Sequence, residues 1–208
     1  MTRAAGETRR RHPARSARFA CAAALALAGG CVTQPQRQPL PLNWPEHRAA
    51  LQGLAHFELQ GRVAVAAGRE GFNGTLRWLQ RDARTELDLN GPLGFGAVRV
   101  ASDGQDFVLQ TGRGEQLDAD AARAELHRRL GFSLPLTSLR YWILGVPDPS
   151  IPAAETLGAE QRLERLEQGG WQVDYQKYVV FNGSWLPQRL TATRADLRVR
   201  LLVDRWLR

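Results

Sequence analysis

Apolar and polar residues alternate with a period of two along much of the chain, a pattern typical of β-strands that bury one face. In the first such segment, Phe57–Val65, every second residue is apolar or glycine. Four more segments follow at short intervals: Phe72–Leu79, Arg84–Asn90, Phe95–Ser102 and Gln105–Gln110. Because parallel strands need crossovers of about a dozen residues or more, these short links predict an antiparallel meander.

The alternation resumes in the last quarter of the chain, where Asn182-Gly183 marks a hairpin turn. The segments are Gln161–Glu167, Trp171–Tyr175, Tyr178–Phe181, Trp185–Arg194 and Asp196–Trp206. We therefore predict a mainly β (α+β) fold of about ten to eleven strands, either a large curved antiparallel sheet or an incomplete antiparallel β-barrel.

Three segments have a helical pattern. They are Trp44 to about Ala55, capped by Asn43, then Asp118–Leu130 and Thr137–Leu144. The third is too apolar for an exposed helix. We expect these short helices to form a lid over an apolar cavity in the sheet. The run Asp148–Glu155 contains two prolines and is predicted to be a loop.

The N-terminus has the layout of a lipoprotein signal. Residues 1–18 contain six arginines and one acidic residue, and the apolar run that follows, Phe19–Ala28, is too short to cross a bilayer of about 30 Å. Gly29 and Gly30 then precede Cys31, as acylation of a cysteine and cleavage before it require. An ordinary secretory signal with an incidental cysteine is the alternative.

The signal divides the chain into three predicted parts. Residues 1–30 are a lipoprotein signal peptide, residues 31–43 comprise the acylated Cys31 and a flexible proline- and glutamine-rich tether, and residues 44–208 form a single domain. The net charge of +7 falls to +2 when six arginines and one glutamate leave with the signal, so the charge does not indicate nucleic-acid binding. Cys31 is then the sole cysteine, although an uncleaved chain could pair it with Cys21.

The sequence has no recognisable motif for catalysis or for metal binding. There is no Gly-x-Ser-x-Gly nucleophile motif and no phosphate loop, and His47, His56 and His127 have no partner at metal-ligand spacing. The glycines of Gly91–Gly96 lie between two predicted strands and not before a helix, so they do not indicate a dinucleotide site. We therefore expect no enzyme activity, no cofactor and no metal.

Two apolar features point to lipid or to a partner. Five of the six tryptophans lie in predicted helices or strands, more than one compact core needs, which favours an apolar cavity over core packing alone. The predicted hairpin connection Asn90–Gly96 has Leu93 at its tip and Phe95 just beyond. Such residues favour contact with a membrane or a partner, the alternative being a loop folded back on the core.

Several motifs together resemble the LolB family, the outer-membrane lipoprotein receptors of Gram-negative bacteria. They are the signal with Cys31, Leu59-Gln60-Gly61-Arg62, the strand of Trp78, Asn90-Gly91-Pro92-Leu93-Gly94, Leu134-Pro135-Leu136 with Leu139, Trp142–Pro147 and Trp171–Tyr175. Their order and spacing cover nearly all of residues 31–208. Ala28 replaces the leucine usual at that place of the signal, and Phe95 makes the 90–96 segment more apolar than the family pattern.

The resemblance implies a function. A monomeric receptor, lipid-anchored through Cys31 at the periplasmic face of the outer membrane, would accept acylated lipoproteins from the periplasmic carrier LolA and insert them among outer-membrane lipids. The family's protruding membrane-insertion loop falls on Pro92, Leu93, Gly94 and Phe95. The acyl-cavity candidates are Trp78, Leu136, Leu139, Trp142, Ile143 and Trp171.

Two other classes of protein stay open on the residues alone. In a structural or assembly-platform envelope lipoprotein, the tryptophans would be core and the 90–96 segment a protein contact. A lipid-modifying hydrolase would need a nucleophile motif that the sequence lacks.

Overall fold

The structure, a computed structural model, describes residues 43–91, 97–103, 106–130 and 135–207. Its helices are α1 (Trp44–Gln52), α2 (Ala119–Leu130) and α3 (Leu136–Trp142). Its strands are β1 (His56–Ala67), β2 (Glu70–Arg81), β3 (Arg84–Asn90), β4 (Val98–Ser102), β5 (Phe107–Thr111), β6 (Gln116–Leu117), β7 (Ala153–Leu157), β8 (Leu163–Gln168), β9 (Trp171–Phe181), β10 (Ser184–Arg194) and β11 (Leu197–Leu207).

The eleven strands form one antiparallel sheet in the order β6-β5-β4-β3-β2-β1-β11-β10-β9-β8-β7. Each half of the chain is a meander, and the first strand pairs with the last, from Glu58 opposite Leu207 to Ala67 opposite Leu197. Because β6 and β7 end the sheet without pairing to each other, the barrel is incomplete, which confirms the predicted fold class.

The β1–β11 pairing contains a bulge at Gln60/Gly61. A Cβ on Gly61 would overlap the carbonyl oxygen of Leu202 on the neighbouring strand. Glycine is therefore needed at this point in the pairing of the first strand with the last.

One face of the sheet carries the core. Buried residues at alternate positions, among them Leu59 and Trp78, face helices α1 and α3. Gln52 of α1 donates a hydrogen bond to the Pro147 carbonyl (2.9 Å), and Arg140 of α3 donates one to the Leu54 carbonyl (3.3 Å). The buried core extends from Trp44 to Trp206, so a chain that starts after Cys31 retains all of it.

Most predicted elements are confirmed, with shifted ends. Asn43 caps α1, its side chain accepting a hydrogen bond from the Glu46 backbone N–H (3.1 Å), and Arg84–Asn90 is a strand with the predicted bounds. The two segments expected at 171–175 and 178–181 are one strand, β9, because a bulge opposite Arg189 carries the pairing through. None of the described helices has the length and apolarity to cross a membrane.

One prediction is wrong. The run 148–155, expected to be a loop, contains the start of β7, whose residues Ala153 to Leu157 pair with β8. Pro152 lies just before the strand and removes no hydrogen bond from the sheet, which is where an edge strand tolerates proline. The short strand β6 is a further addition to the predicted pattern.

Candidate functional site

Helix α3 and the turn after it, residues 136–145, cover part of the inner face of the sheet, and we call this segment the lid. The lid ends at Gly145, whose φ of +81° favours glycine. A Cβ there would approach the Pro187 ring to 2.9 Å and the Tyr178 hydroxyl to 3.2 Å. The turn thus lies directly against β9 and β10.

Gln168, at the end of β8, fixes the C-terminal end of the lid. Its Oε1 accepts hydrogen bonds from the Trp142 indole N–H (2.8 Å) and from the Asp148 backbone N–H (2.9 Å). Its Nε2 donates to the carbonyls of Asp148 (2.8 Å) and Ile151 (2.9 Å). Because Gln168 is buried, no water replaces these bonds if they break.

Asp148 makes a second connection to the lid. The Ser138 hydroxyl donates a hydrogen bond to Asp148 Oδ2 (2.8 Å), and the Ser150 hydroxyl and backbone N–H donate to Oδ1 (2.7 and 2.9 Å). Burial of the carboxyl favours its neutral form, but the hydrogen bonds from Ser150 and Ser138 outweigh burial and lower the pKa of Asp148. The carboxylate therefore stays charged inside the fold.

Two tyrosines of β9 complete the polar contacts beneath the lid. The Tyr175 hydroxyl donates to the Trp142 carbonyl (2.9 Å), and the Tyr178 hydroxyl donates to the Leu163 carbonyl (2.6 Å). Burial raises the pKa of both phenols, so both remain neutral donors.

Between the lid and the sheet lies a cavity of about 80 Å³ whose lining side chains are all apolar. The lid contributes Leu139, Trp142 and Ile143, and Pro135 precedes it. The strands contribute Val63, Val65, Phe72, Leu76, Trp78, Leu87, Leu89, Trp171, Leu190, Ala192, Val199 and Leu201. A site of this composition can hold hydrocarbon and offers no group for acid–base or nucleophilic chemistry.

Five of the six acyl-cavity candidates from the sequence line this cavity. The indole rings of Trp142 and Trp171 are 5.9 Å apart, and Trp78 on β2 lines the cavity from the other half of the sheet. Leu136 is the exception, since it packs against the core and does not line the cavity. Phe72 and Val199 were not singled out, because alternation marks the inner face of a strand without separating cavity from core.

Comparison with known proteins decides the family. The family model "Outer membrane lipoprotein LolB" matches residues 55–206, from the start of β1 almost to the end of β11. The chain belongs to the LolB family. It is 37% identical over 193 residues to the outer-membrane lipoprotein LolB of Pseudomonas aeruginosa, covering 90% of this chain and 94% of that protein. The LolB protein of Pseudomonas putida is 37% identical over 187 residues, with 88% and 91% covered.

Solved structures show the same fold at low sequence identity. A LolA superfamily protein from Nitrosomonas europaea has a TM-score of 0.52 at 9% identity, covering 80% of this chain and 94% of that one. A DUF1329 family protein from Desulfovibrio piger has a TM-score of 0.52 at 5% identity, covering 78% and 89%. The family match confirms the LolB resemblance seen in the sequence. The protein is an outer-membrane protein and not an enzyme.

The other site residues predicted from the LolB pattern lie outside the described part of the chain. These are Cys31, Pro92, Leu93, Gly94 and Phe95. Strand β3 nevertheless fixes where the 92–96 segment begins, because Asn90 is the last residue of that strand and is opposite Thr75 of β2.

A larger concavity, about 760 Å³, lies on the outer face of the sheet. Its lining includes Arg62, Asn73, Arg189 and Arg200. Burying hydrocarbon against such groups would leave charges without water. The smaller cavity, whose lining is wholly apolar, is therefore the better candidate for holding hydrocarbon.

Proposed function

We propose that the protein is a receptor that accepts acylated lipoproteins from the periplasmic carrier LolA and inserts them into the inner leaflet of the outer membrane. The observation that carries the proposal is the wholly apolar cavity under the lid in a chain of the LolB family. The protein acts as a monomer held to the periplasmic face of the outer membrane by lipid on Cys31.

The cavity as it stands is closed to a whole acyl chain. Its volume of about 80 Å³ is smaller than the engineered apolar cavity of about 150 Å³ that admits one benzene molecule. Cargo therefore displaces the lid when it enters. The apolar contacts of Leu139 with the sheet are then exchanged for contacts with hydrocarbon.

Transfer in one direction without nucleotide hydrolysis follows from relative affinity. Burying hydrocarbon contributes about 0.8 kcal/mol per CH₂ group, so carrier, receptor and membrane all hold acyl chains strongly. Cargo moves forward if the receptor cavity binds it more tightly than the carrier does, and the bilayer more tightly still. Closure of the lid onto its own apolar contacts assists the last step.

The test is a transfer assay in two stages with a form that starts after Cys31. LolA loaded with a labelled lipoprotein is mixed with this form, and the label is followed first to the receptor and then to added liposomes. We expect stoichiometric capture near one per receptor and then loss of label to the liposomes. Absence of capture, with LolA intact and loaded, would overturn the proposal. Nothing in the described residues favours a structural or assembly-platform role.

A further inference from the structure

The outer face of the sheet carries four exposed cations for which the described part of the chain provides no ion-pair partner. Lys177 of β9 and Arg189 of β10 are directly opposite each other, and Arg198 and Arg200 lie on the same side of the adjacent strand β11. We call these four residues the basic face. Like charges placed directly opposite in a sheet destabilise it, so an anion bound there would stabilise the pair.

Two acidic residues on the strands of the basic face, Asp174 of β9 and Asp204 of β11, are already engaged. Asp174 accepts a hydrogen bond from Arg165 (2.7 Å) and another from Gln172 (2.8 Å). Asp204 accepts from both Nε (3.2 Å) and Nη2 (2.8 Å) of Arg62. Neutralisation of the basic face must therefore come mainly from outside these strands.

The basic face runs from the middle of the long strands towards one end of the sheet, and register shows which end. One row across the strands runs from Asn90 through Thr75, Arg62, Leu202 and Arg189 to Lys177. The chain leaves the sheet after Asn90, so the apolar 92–96 segment starts from this row. On β11, Arg200 and Arg198 lie two and four residues beyond Leu202 of this row, in the direction in which β3 runs.

The apolar cavity occupies the same rows on the opposite side of the sheet. Val63, Val65, Val199 and Leu201 line it, and they alternate along their strands with Arg198, Arg200 and Arg62 on the outer side. The part of the sheet that is level with the end of β3 and beyond it therefore has hydrocarbon-binding residues inside and cations outside. That combination matches a phospholipid surface, whose acyl region lies beneath charged headgroups.

We propose that Lys177, Arg189, Arg198 and Arg200 bind the headgroups of anionic phospholipids and hold this part of the sheet against the membrane. This inference rests on the proposed function, since only a receptor that delivers to a bilayer gains from such orientation. The length of the tether supports it. Thirteen residue steps separate Cys31 from Trp44, a reach of roughly 45 Å at most, so the sheet stays near the surface to which Cys31 is anchored.

The experiment measures co-sedimentation of the form that starts after Cys31 with vesicles of phosphatidylcholine, alone or mixed roughly three to one with phosphatidylglycerol. The test variant is Arg189→Gln with Arg200→Gln. The matched control is Arg81→Gln with Arg84→Gln, an exposed pair of directly opposed arginines at the other end of β2 and β3. Thermal unfolding and binding of a fluorescent fatty acid are measured on every sample.

We expect the parent form to bind the mixed vesicles more tightly than the neutral ones, and to lose this preference at about 0.5 M salt. Each Lys or Arg near an anionic surface strengthens binding about fivefold, so the test variant should bind mixed vesicles on the order of twentyfold more weakly. The control variant should lose less than half of its binding.

Three results would overturn the inference. The parent form could show no preference for phosphatidylglycerol, or the test and control variants could lose vesicle binding equally. Alternatively, the test variant could keep its vesicle binding and fail to capture cargo from LolA. The last result would make the basic face a docking site for an acidic protein. Fatty-acid binding separates this inference from the function proposed above. If the fatty acid binds but the lipid preference is absent, only the inference fails, whereas no fatty-acid binding argues against the receptor function itself.

Discussion

The Trp142 indole N–H donates a 2.8 Å hydrogen bond to Gln168 Oε1, which joins the last residue of α3 to the last residue of β8. The C-terminal end of the lid is thus held to the sheet by buried polar bonds. The earlier part of α3 is held by the apolar contacts of Leu136 and Leu139 and by the Ser138–Asp148 hydrogen bond. We expect the lid to open from that part, with Trp142 as the fixed point.

Gln168→Leu should destabilise the protein strongly. The change leaves two buried donors without acceptors, the Trp142 indole and the Asp148 backbone N–H. Each costs about 1–3 kcal/mol, so the free energy of unfolding should fall by about 2–6 kcal/mol. Urea unfolding measures it. Gln172→Leu on β9, where the side chain is only partly buried, is the control and should cost less than about 1 kcal/mol. Similar losses in both would mean that the Gln168 bonds are not specially important.

Acid should loosen the lid through Asp148. The pKa of this carboxyl is lowered in the folded protein, so its stabilising effect is present above the ordinary value of 3.8 and is lost as pH falls below that value through the folded pKa. Asp148→Asn should be less stable than the parent at neutral pH, and it should lose less stability than the parent between pH 5 and pH 3. The same acid dependence in both proteins would assign the effect to other carboxyls.

Parts of the fold and of the site that depend on neighbouring residues could be predicted from the sequence. Parts that depend on contacts between distant residues could not. The strands and α1 were predictable, because alternation and the Asn43 cap are written in neighbouring residues. The edge strand β7 was not, since its residues are mostly exposed and its pairing with β8 exists only in the fold. For the site, the excess of apolar residues identified Leu139 and Trp142. Gln168 was missed because a glutamine before two glycines reads as an exposed turn residue, and its partner Trp142 is 26 residues away.

Leu139→Glu should reduce acyl binding more than it reduces stability. Leu139 lines the cavity from the lid and is only partly buried, so a carboxylate there can turn toward solvent while making the empty cavity unfavourable for hydrocarbon. We expect at least about tenfold weaker binding of a fluorescent fatty acid, with about 1–2 kcal/mol of lost stability. Thr137→Glu, on the exposed side of the same helix, is the control and should leave binding unchanged. Equal losses of binding and stability in Leu139→Glu would make this residue part of the core.

Cys31→Ala should convert the membrane-bound protein into one that is released from membranes, provided that a cleavable secretory signal replaces residues 1–30. The acyl anchor is the attachment that the sequence predicts, and lipid chains supply the strength of such an attachment. Fractionation of cells measures the change. At low ionic strength the basic face should retain a minor fraction, which about 0.5 M salt should release. A fraction that resists salt would indicate another anchor.

Leu93→Glu should separate the two stages of transfer. The residue follows the end of β3 by three positions and precedes β4 by five, and neither strand needs it for pairing. Stability should therefore change by less than about 1 kcal/mol, as for most surface substitutions. Full burial of a leucine side chain in a bilayer contributes roughly 1.5–3 kcal/mol. A glutamate at this position does not gain that free energy, and its carboxylate adds the cost of leaving water. Capture of labelled lipoprotein from LolA should survive, while delivery to liposomes slows by at least about tenfold.

Ala83→Glu, in the exposed turn between β2 and β3, is the control and should change neither stage. Failure of capture with normal delivery would instead assign the 92–96 segment to docking of the carrier.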